Sequence, residues 1–282
     1  MTETVETAGT ACSVTASRAG VAVAQFAPGA DRDANLASIR ALAATSVERG
    51  AGLVVAPEYS SYFSPELGPD WVAAAEPLDG PFVAGLGAIA RELGIVLVAG
   101  LVETGARPDR FRNTIVAVGA DGGVLAVSRK LHLYDAFGAR ESDWAEAGDI
   151  EPPQLFAFAG LQVGIQTCYD VRFPEVTRRL VDAGAELVLI PAEWVRGPQK
   201  ERHWRTLVTA RALENTIYVA AADHAPPIGV GCSLVVDPMG VTIASIGEQT
   251  DAAVAFPTRA RIDEVRAVNP ALGLRRFGVA PR

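Results

Sequence analysis

Three side chains of complementary chemistry stand directly after apolar runs: Glu58 closes "LVVAPE", Lys130 closes "VLAVSRK" and Cys168 closes "VGIQTC". A fourth run, "LVLIPAEW", delivers Glu193 and Trp194. A carboxylate, an ammonium and a thiol brought together suffice for acyl transfer. The carboxylate takes the thiol proton, the thiolate attacks a carbonyl, and the ammonium steadies the oxyanion, with no need for a histidine. Taken singly, each has a plain structural explanation as a small buried thiol, an ion-pair partner or a solvated charge blunting a sheet edge. Their shared placement sets them apart, because ligands in open α/β sheets bind outside the carboxyl ends of strands.

The elements that must position these residues are legible as short runs rich in Val, Ile and Leu, among them "GVAVAQF", "GIVLVAGLVE", "TIYVAAAD" and those just named. Such lengths suit strands buried on both faces. Helical spacing lies between them: Leu36, Ile39, Leu42 and Val47 before Gly50, and Phe82, Leu86, Ile89 and Leu93 before Gly94. Pro174 opens a third helix that closes at Gly184, and a fourth runs from about Pro198 with Trp204, Leu207, Val208 and Ala212 on one face. "RNTIVAVGADGGVLAVSRK" and "CSLVVDPMGVTIASIG" read as hairpins. Alternating strands and helices with two hairpins predict an α/β fold whose sheets are mixed: one domain of two packed sheets with outer helices.

The chain has 282 residues, 49% hydrophobic and 21% charged, enough to bury a large core. A net charge of -8 argues against nucleic acid as a partner, since phosphate binding needs concentrated Lys and Arg. Cys12, Cys168 and Cys232 are scattered, and His132, His203 and His224 share no ligand spacing with them, so neither a disulfide framework nor a metal site is expected. Free thiols suit a reducing cytoplasm. Residues 1–19 lack a basic leader and an apolar core and read as a flexible N-terminal extension rather than a secretion signal. No apolar run reaches the roughly 18 residues that would span a membrane.

The stretches "VVAPEYS", "RKLHLYDAFGARESD" and "CYDVRFPE", with "HWRTLVTARALENTIYV" and "GCSLVVDPMG" downstream, resemble the nitrilase superfamily of carbon-nitrogen hydrolases. The likeness runs from about Gly20 to near the end and keeps the order Glu, Lys, Cys. "CYDVRFPE" resembles the amidase branch related to omega-amidase and deaminated-glutathione amidase, whereas nitrilases proper usually follow the cysteine with Trp-Glu. The resemblance implies a four-layer α-β-β-α sandwich with two mixed β-sheets, a single hydrolase domain over residues 20–282, and subunits that pair into a homodimer or a higher homo-oligomer. It also implies that Cys168 is the nucleophile, Glu58 the general base and Lys130 the cation on the tetrahedral intermediate. The backbone N–H of Tyr169 becomes the second oxyanion donor. Glu141 in "GARESD" matches a second glutamate of many relatives, a support for Lys130 or for water, with Glu146 as its rival. The activity implied is hydrolysis of a small linear amide through a cysteine thioester, without metal or organic cofactor. N-carbamoyl amide hydrolysis, nitrile hydrolysis and a catalytically silent scaffold are the alternatives.

Around this set the helix opening near Pro174 is expected to favour the Cys168 thiolate. Arg172 either binds a substrate carboxylate or pairs with Asp170 or Glu175. Trp194 either walls the acyl pocket or packs beneath it, and Tyr59 and Tyr62 either line the entrance or are loop aromatics. "PAEWVRGPQ" departs from the Thr-rich loop of omega-amidases, so Arg196 is a further candidate charge. His132 either helps hold the Lys130 loop or is an ordinary hydrogen-bonded structural histidine; Cys232, His203 and His224 are assigned no role.

Overall fold

The computed structural model describes residues 19–281, so residues 1–18, which contain Cys12 and all but the last residue of the expected extension, lie outside the described part. Strands β1 (Gly20–Gln25), β2 (Ala51–Val55), β3 (Val96–Thr104), β4 (Phe111–Val118), β5 (Val124–Arg129) and β6 (Ala145–Glu146) form one sheet together with the late strand β13 (Asp251–Ala255). Its order is β13-β1-β2-β3-β4-β5, with β6 on the far end of β4. The second sheet has the order β12-β11-β10-β9-β8-β7, built from β7 (Phe156–Phe158), β8 (Leu161–Ile165), β9 (Leu187–Pro191), β10 (Tyr218–Ala222), β11 (Leu234–Val236) and β12 (Thr242–Ser245). Each sheet has a parallel centre, β1-β2-β3 in one and β8-β9-β10 in the other, flanked by antiparallel strands. Both expected hairpins form, β4 with β5 and β11 with β12.

Alternation along each strand divides its side chains between two interiors. Val21, Val55 and Val98 meet Val163, Leu189 and Ala220 between the sheets. Their neighbours Ala22, Val54 and Leu97 face α1 (Arg32–Glu48) and α3 (Pro81–Leu93), while Val188, Ile190 and Val219 face α4 (Pro174–Asp182) and α5 (Lys200–Asn215). Both faces of each sheet are therefore dry, which is why the strands read as unbroken apolar runs. The result is the four-layer α-β-β-α arrangement.

Helix ends follow their local chemistry. Asp31 caps α1 by accepting from the N–H groups of Asp33 and Ala34, and Gly94 ends α3 in the left-handed conformation at φ 65°. Five of these elements carried no sequence expectation. Strands β6 and β7 have only two and three residues, too few for a pattern. Helix α2 (Pro69–Ala73) is too short to show periodicity, α6 (Arg259–Val268) buries only Ile262 and Val265, and β13 is alanine-rich and is fixed by pairing with β1. Among the described residues no helix is long and apolar enough to cross a membrane.

Candidate active site

Four strands release their chains at one edge of the sandwich. Beyond β2 comes Glu58, beyond β5 Lys130, beyond β8 Cys168, and beyond β9 Glu193. All four line one cavity of about 710 Å³, together with Tyr59, Glu141 and Lys200. Lys130 Nζ donates to Glu58 Oε1 at 3.0 Å and to Glu141 Oε2 at 2.8 Å, and these three side chains are almost fully buried. Asn113 on β4 donates from Nδ2 to both carboxylates, sharing Glu58 Oε1 with Lys130 at 2.7 Å and taking the other oxygen of Glu141, Oε1, at 2.9 Å. Glu141 also accepts from the Tyr59 hydroxyl at 2.5 Å and from the Tyr134 N–H at 2.6 Å.

The remaining Glu58 oxygen, Oε2, accepts the backbone N–H of Glu193 at 2.6 Å, and the carbonyl of Glu193 accepts from Cys168 Sγ at 3.6 Å. One residue's main chain thus touches both the carboxylate and the thiol. Cys168 itself sits at φ 42° at the start of a 3-10 turn, Cys168–Arg172. Holding a non-glycine residue there costs of order 1–3 kcal/mol, and such strain gathers at functional sites. The first hydrogen-bonded N–H of that turn is Asp170's, which donates to Thr167 O at 2.9 Å. The Cys168 and Tyr169 N–H groups precede it and have no acceptor within the turn.

Electrostatics follow from burial and from one cation between two anions. Burial by itself lowers the pKa of Lys130, but Glu141 and Glu58 outweigh it and hold the ammonium charged. Glu141 is penalised by burial, yet Lys130 and its hydrogen bonds keep it below the usual carboxylate range. The Cys168 thiol is pushed well up, first by burial and then by Glu58, with Lys130 opposing. The expectation of a thiolate favoured by the helix at Pro174 is therefore corrected: the 3-10 turn separates that helix from Cys168, and burial together with the Glu58 charge outweighs Lys130.

Positions beyond the central set divide. Glu146 lies on the surface, bound by Arg112 and the N–H groups of Ala106 and Arg107, so Glu141 is the glutamate beside Lys130. The Tyr59 ring lines the cavity, one of the two readings open to it, and its hydroxyl donates to Glu141. Trp194 lies beneath the cavity rather than on its wall, with Nε1 donating to Lys200 O and its ring carrying the Arg172 guanidinium at 4.8 Å. Arg172 forms no ion pair with Asp170 or Glu175; its Nε and one terminal nitrogen are buried without a hydrogen-bond partner. Tyr62 donates to Asp70, and Arg196 pairs with Glu248 at the rim. His132 does hold the Lys130 loop: its N–H and Nδ1 reach Asp170 Oδ1 at 3.0 and 2.8 Å, while Thr167 N–H approaches Oδ2.

Several supports were not foreseen. His224 Nε2 donates to the Glu58 carbonyl at 2.7 Å, and burial lowers its pKa to about 4. Gly100 on β3 lets the Glu58 turn lie against it, since a Cβ there would fall 2.3 Å from Tyr59 N. Lys200 Nζ donates to the Tyr134 hydroxyl at 3.1 Å and lies 4.6 Å from the Phe137 ring centroid. Asn113 stands between Arg112 and Thr114 at the polar start of β4, so neither it nor the other supports had a distinct local signal. Among the described residues no cluster of three His, Cys, Asp or Glu is arranged to hold a metal ion.

Comparison with known proteins bears on this geometry. Residues 20–267 match the family described as carbon-nitrogen hydrolase. The chain is 39% identical to the deaminated glutathione amidase of Escherichia coli O157:H7 over 91% of its own length and 97% of that protein. It superposes on the NitFhit protein of C. elegans with a TM-score of 0.83 at 28% identity, covering 91% of this chain and 65% of that one. It also superposes, with a TM-score of 0.75 at 29% identity, on a variant of the Nesterenkonia sp. AN1 amidase that shows Michael addition of acrylamide at the active site cysteine. That match covers 90% of this chain and 99% of the amidase.

Proposed function

The chain belongs to the carbon-nitrogen hydrolase family, and on that premise we propose that it is a cofactor-independent amidase that opens small linear amides through a thioester on Cys168. One observation carries this reading: Glu58, Lys130 and Cys168 converge from three strand ends on one cavity, with Glu193 bonded to both base and nucleophile.

In the first step Glu58 Oε2 takes the Cys168 proton as sulfur bonds to the amide carbon. The carbonyl pair becomes an oxyanion, received by the third Lys130 N–H, which neither Glu58 nor Glu141 uses, and by the Tyr169 N–H. The carbon-nitrogen bond then breaks, Glu58 returns the proton to nitrogen, and ammonia or an amine departs. Water gives a proton to Glu58 while attacking the thioester; the carbon-sulfur bond breaks, sulfur is reprotonated, and the acid leaves. A raised thiol pKa does not obstruct this route. The proton moves within the site from sulfur to carboxylate, so the buried net charge stays the same.

For the substrate, Lys200 favours an acyl chain whose far end carries a carboxylate, because it lines the cavity at its aromatic end without a carboxylate partner of its own, and Arg172, stacked on Trp194 beneath the cavity and against Phe137, adds a second unpaired cation behind that end. A cytoplasmic setting and a homodimeric or higher assembly belong to the same reading and rest on cysteine usage and on the family resemblance.

The test is a screen scored by ammonia release: glutaramate, deaminated glutathione, omega-amides of keto acids, simple aliphatic amides, N-carbamoyl compounds and a nitrile. With a turned-over amide, intact-mass spectrometry is expected to show an acyl adduct on Cys168, and Cys168→Ala to show no adduct and a loss of at least about 10⁴-fold in rate. Carbon dioxide released with ammonia would identify an N-carbamoyl hydrolase. Turnover confined to the nitrile would identify a nitrilase. Wild-type turnover by Cys168→Ala would end the nucleophile assignment.

A further inference from the structure

Glu193 is the one carboxyl group of the cavity that the proposed chemistry leaves unused. Its main chain is fixed at both ends, the N–H on Glu58 Oε2 and the carbonyl on the Cys168 thiol. Its side chain lines the same cavity, where Oε1 is buried and has no hydrogen-bond partner. A buried acceptor without a partner is a standing cost that a ligand can relieve.

The surroundings indicate which part of a ligand that is. Glu58 Oε1 is occupied by Lys130 and Asn113, so proton exchange runs through Oε2, beside Glu193. Lys130, which would receive the oxyanion, holds the opposite oxygen of Glu58. Around a tetrahedral carbon on Cys168, the carbonyl oxygen therefore turns toward Lys130 and the leaving nitrogen toward Glu193. We propose that Glu193 Oε1 binds the leaving nitrogen, accepting a hydrogen bond from the N–H of the scissile amide and holding that nitrogen next to Glu58 Oε2.

The charge state fits this use. Burial first, and then Glu58, push the Glu193 carboxyl well above the usual carboxylate range against the pull of Lys130, which disfavours a third anion around one lysine. A carboxyl oxygen accepts an amide N–H in either protonation state. Selection of amides over esters of the same acid follows, because an ester offers no N–H at that position.

The assignment deepens the amidase reading and rests on it. Its test compares glutaramate with monomethyl glutarate, an amide and an ester that deliver the same acyl group to Cys168. The ratio of the two kcat/KM values, taken on one enzyme preparation, is independent of the folded fraction. Glu193→Met is expected to lower the glutaramate to ester ratio about tenfold, the scale of one lost hydrogen bond in the transition state. Glu193→Gln keeps an acceptor oxygen and is expected to recover the ratio to within about threefold of wild type. Equal losses on both substrates in Glu193→Met, or a ratio in Glu193→Gln as low as in Glu193→Met, would overturn the assignment. Absence of wild-type turnover of glutaramate would instead strike the amidase reading for carboxylate-ended amides, a distinct failure seen before any variant is made.

Discussion

Cys168 titrates against two opposing neighbours. Burial and the Glu58 carboxylate disfavour the thiolate, and Lys130 favours it less strongly because Glu141 already shares that charge. On the proposed mechanism the thiol is stored protonated beside Glu58 and becomes nucleophilic only as its proton transfers. Replacing Glu58 by Gln separates the two roles of that carboxylate. Removing its charge leaves Lys130 less opposed at sulfur, so the midpoint of the thiolate absorbance near 240 nm is expected to move to lower pH. Amide hydrolysis is expected to fall by about 10²–10⁴-fold because the base is gone. A thiolate midpoint that stays put, or moves up, would show that Glu58 does not set the state of Cys168.

At the scale of elements, the site depends on how closely β3 lets the Glu58 turn approach. A Cβ on Gly100 would lie 2.3 Å from Tyr59 N and 2.6 Å from the Glu58 carbonyl carbon, both backbone atoms that cannot rotate away. Gly100→Ala is expected to cost about 1–3 kcal/mol in urea unfolding, as overpacking does. By displacing Glu58 it should also lower kcat by about 10²-fold, the usual penalty for a misplaced catalytic group. Gly29→Ala, where a Cβ meets nothing within 4 Å, serves as the control and should change neither. Wild-type stability and rate in Gly100→Ala would refute the idea that this contact positions the base. The same glycine shows where reading the sequence stops. "GIVLVAGLVE" is legible as a strand because its apolar run reports burial on both faces, and the strand ends delivering Glu58, Lys130 and Cys168 are legible for the same reason. Local pattern does not report which backbone will lie against a strand. Asn113 reaches Glu58 across 55 positions and His224 across 166, so their partnership exists only after the sheets assemble. Helix α6 went unread because two buried residues in ten make too thin an apolar stripe.

For the molecule as a whole, the second sheet is fastened to the base through His224, which follows β10 and donates to the Glu58 carbonyl at the end of β2. Its ring is buried against Phe63. Burial lowers the His224 pKa to about 4 from an ordinary 6.5, so between those values the unfolded chain binds a proton that the folded chain refuses. Stability must then rise with pH across that window, being fully present above about 6.5 and lost as pH falls toward 4. The shift corresponds to about 3 kcal/mol. The charged ring would still donate to the Glu58 carbonyl, so the loss comes from burying the charge. His224→Gln keeps an N–H donor but has nothing to titrate. Carboxylates elsewhere contribute equally to both proteins, so the difference between their urea unfolding free energies isolates His224. Wild type is expected to lose about 3 kcal/mol relative to the variant between pH 7 and pH 4. Parallel pH curves for the two proteins would mean that His224 is not held neutral by the fold.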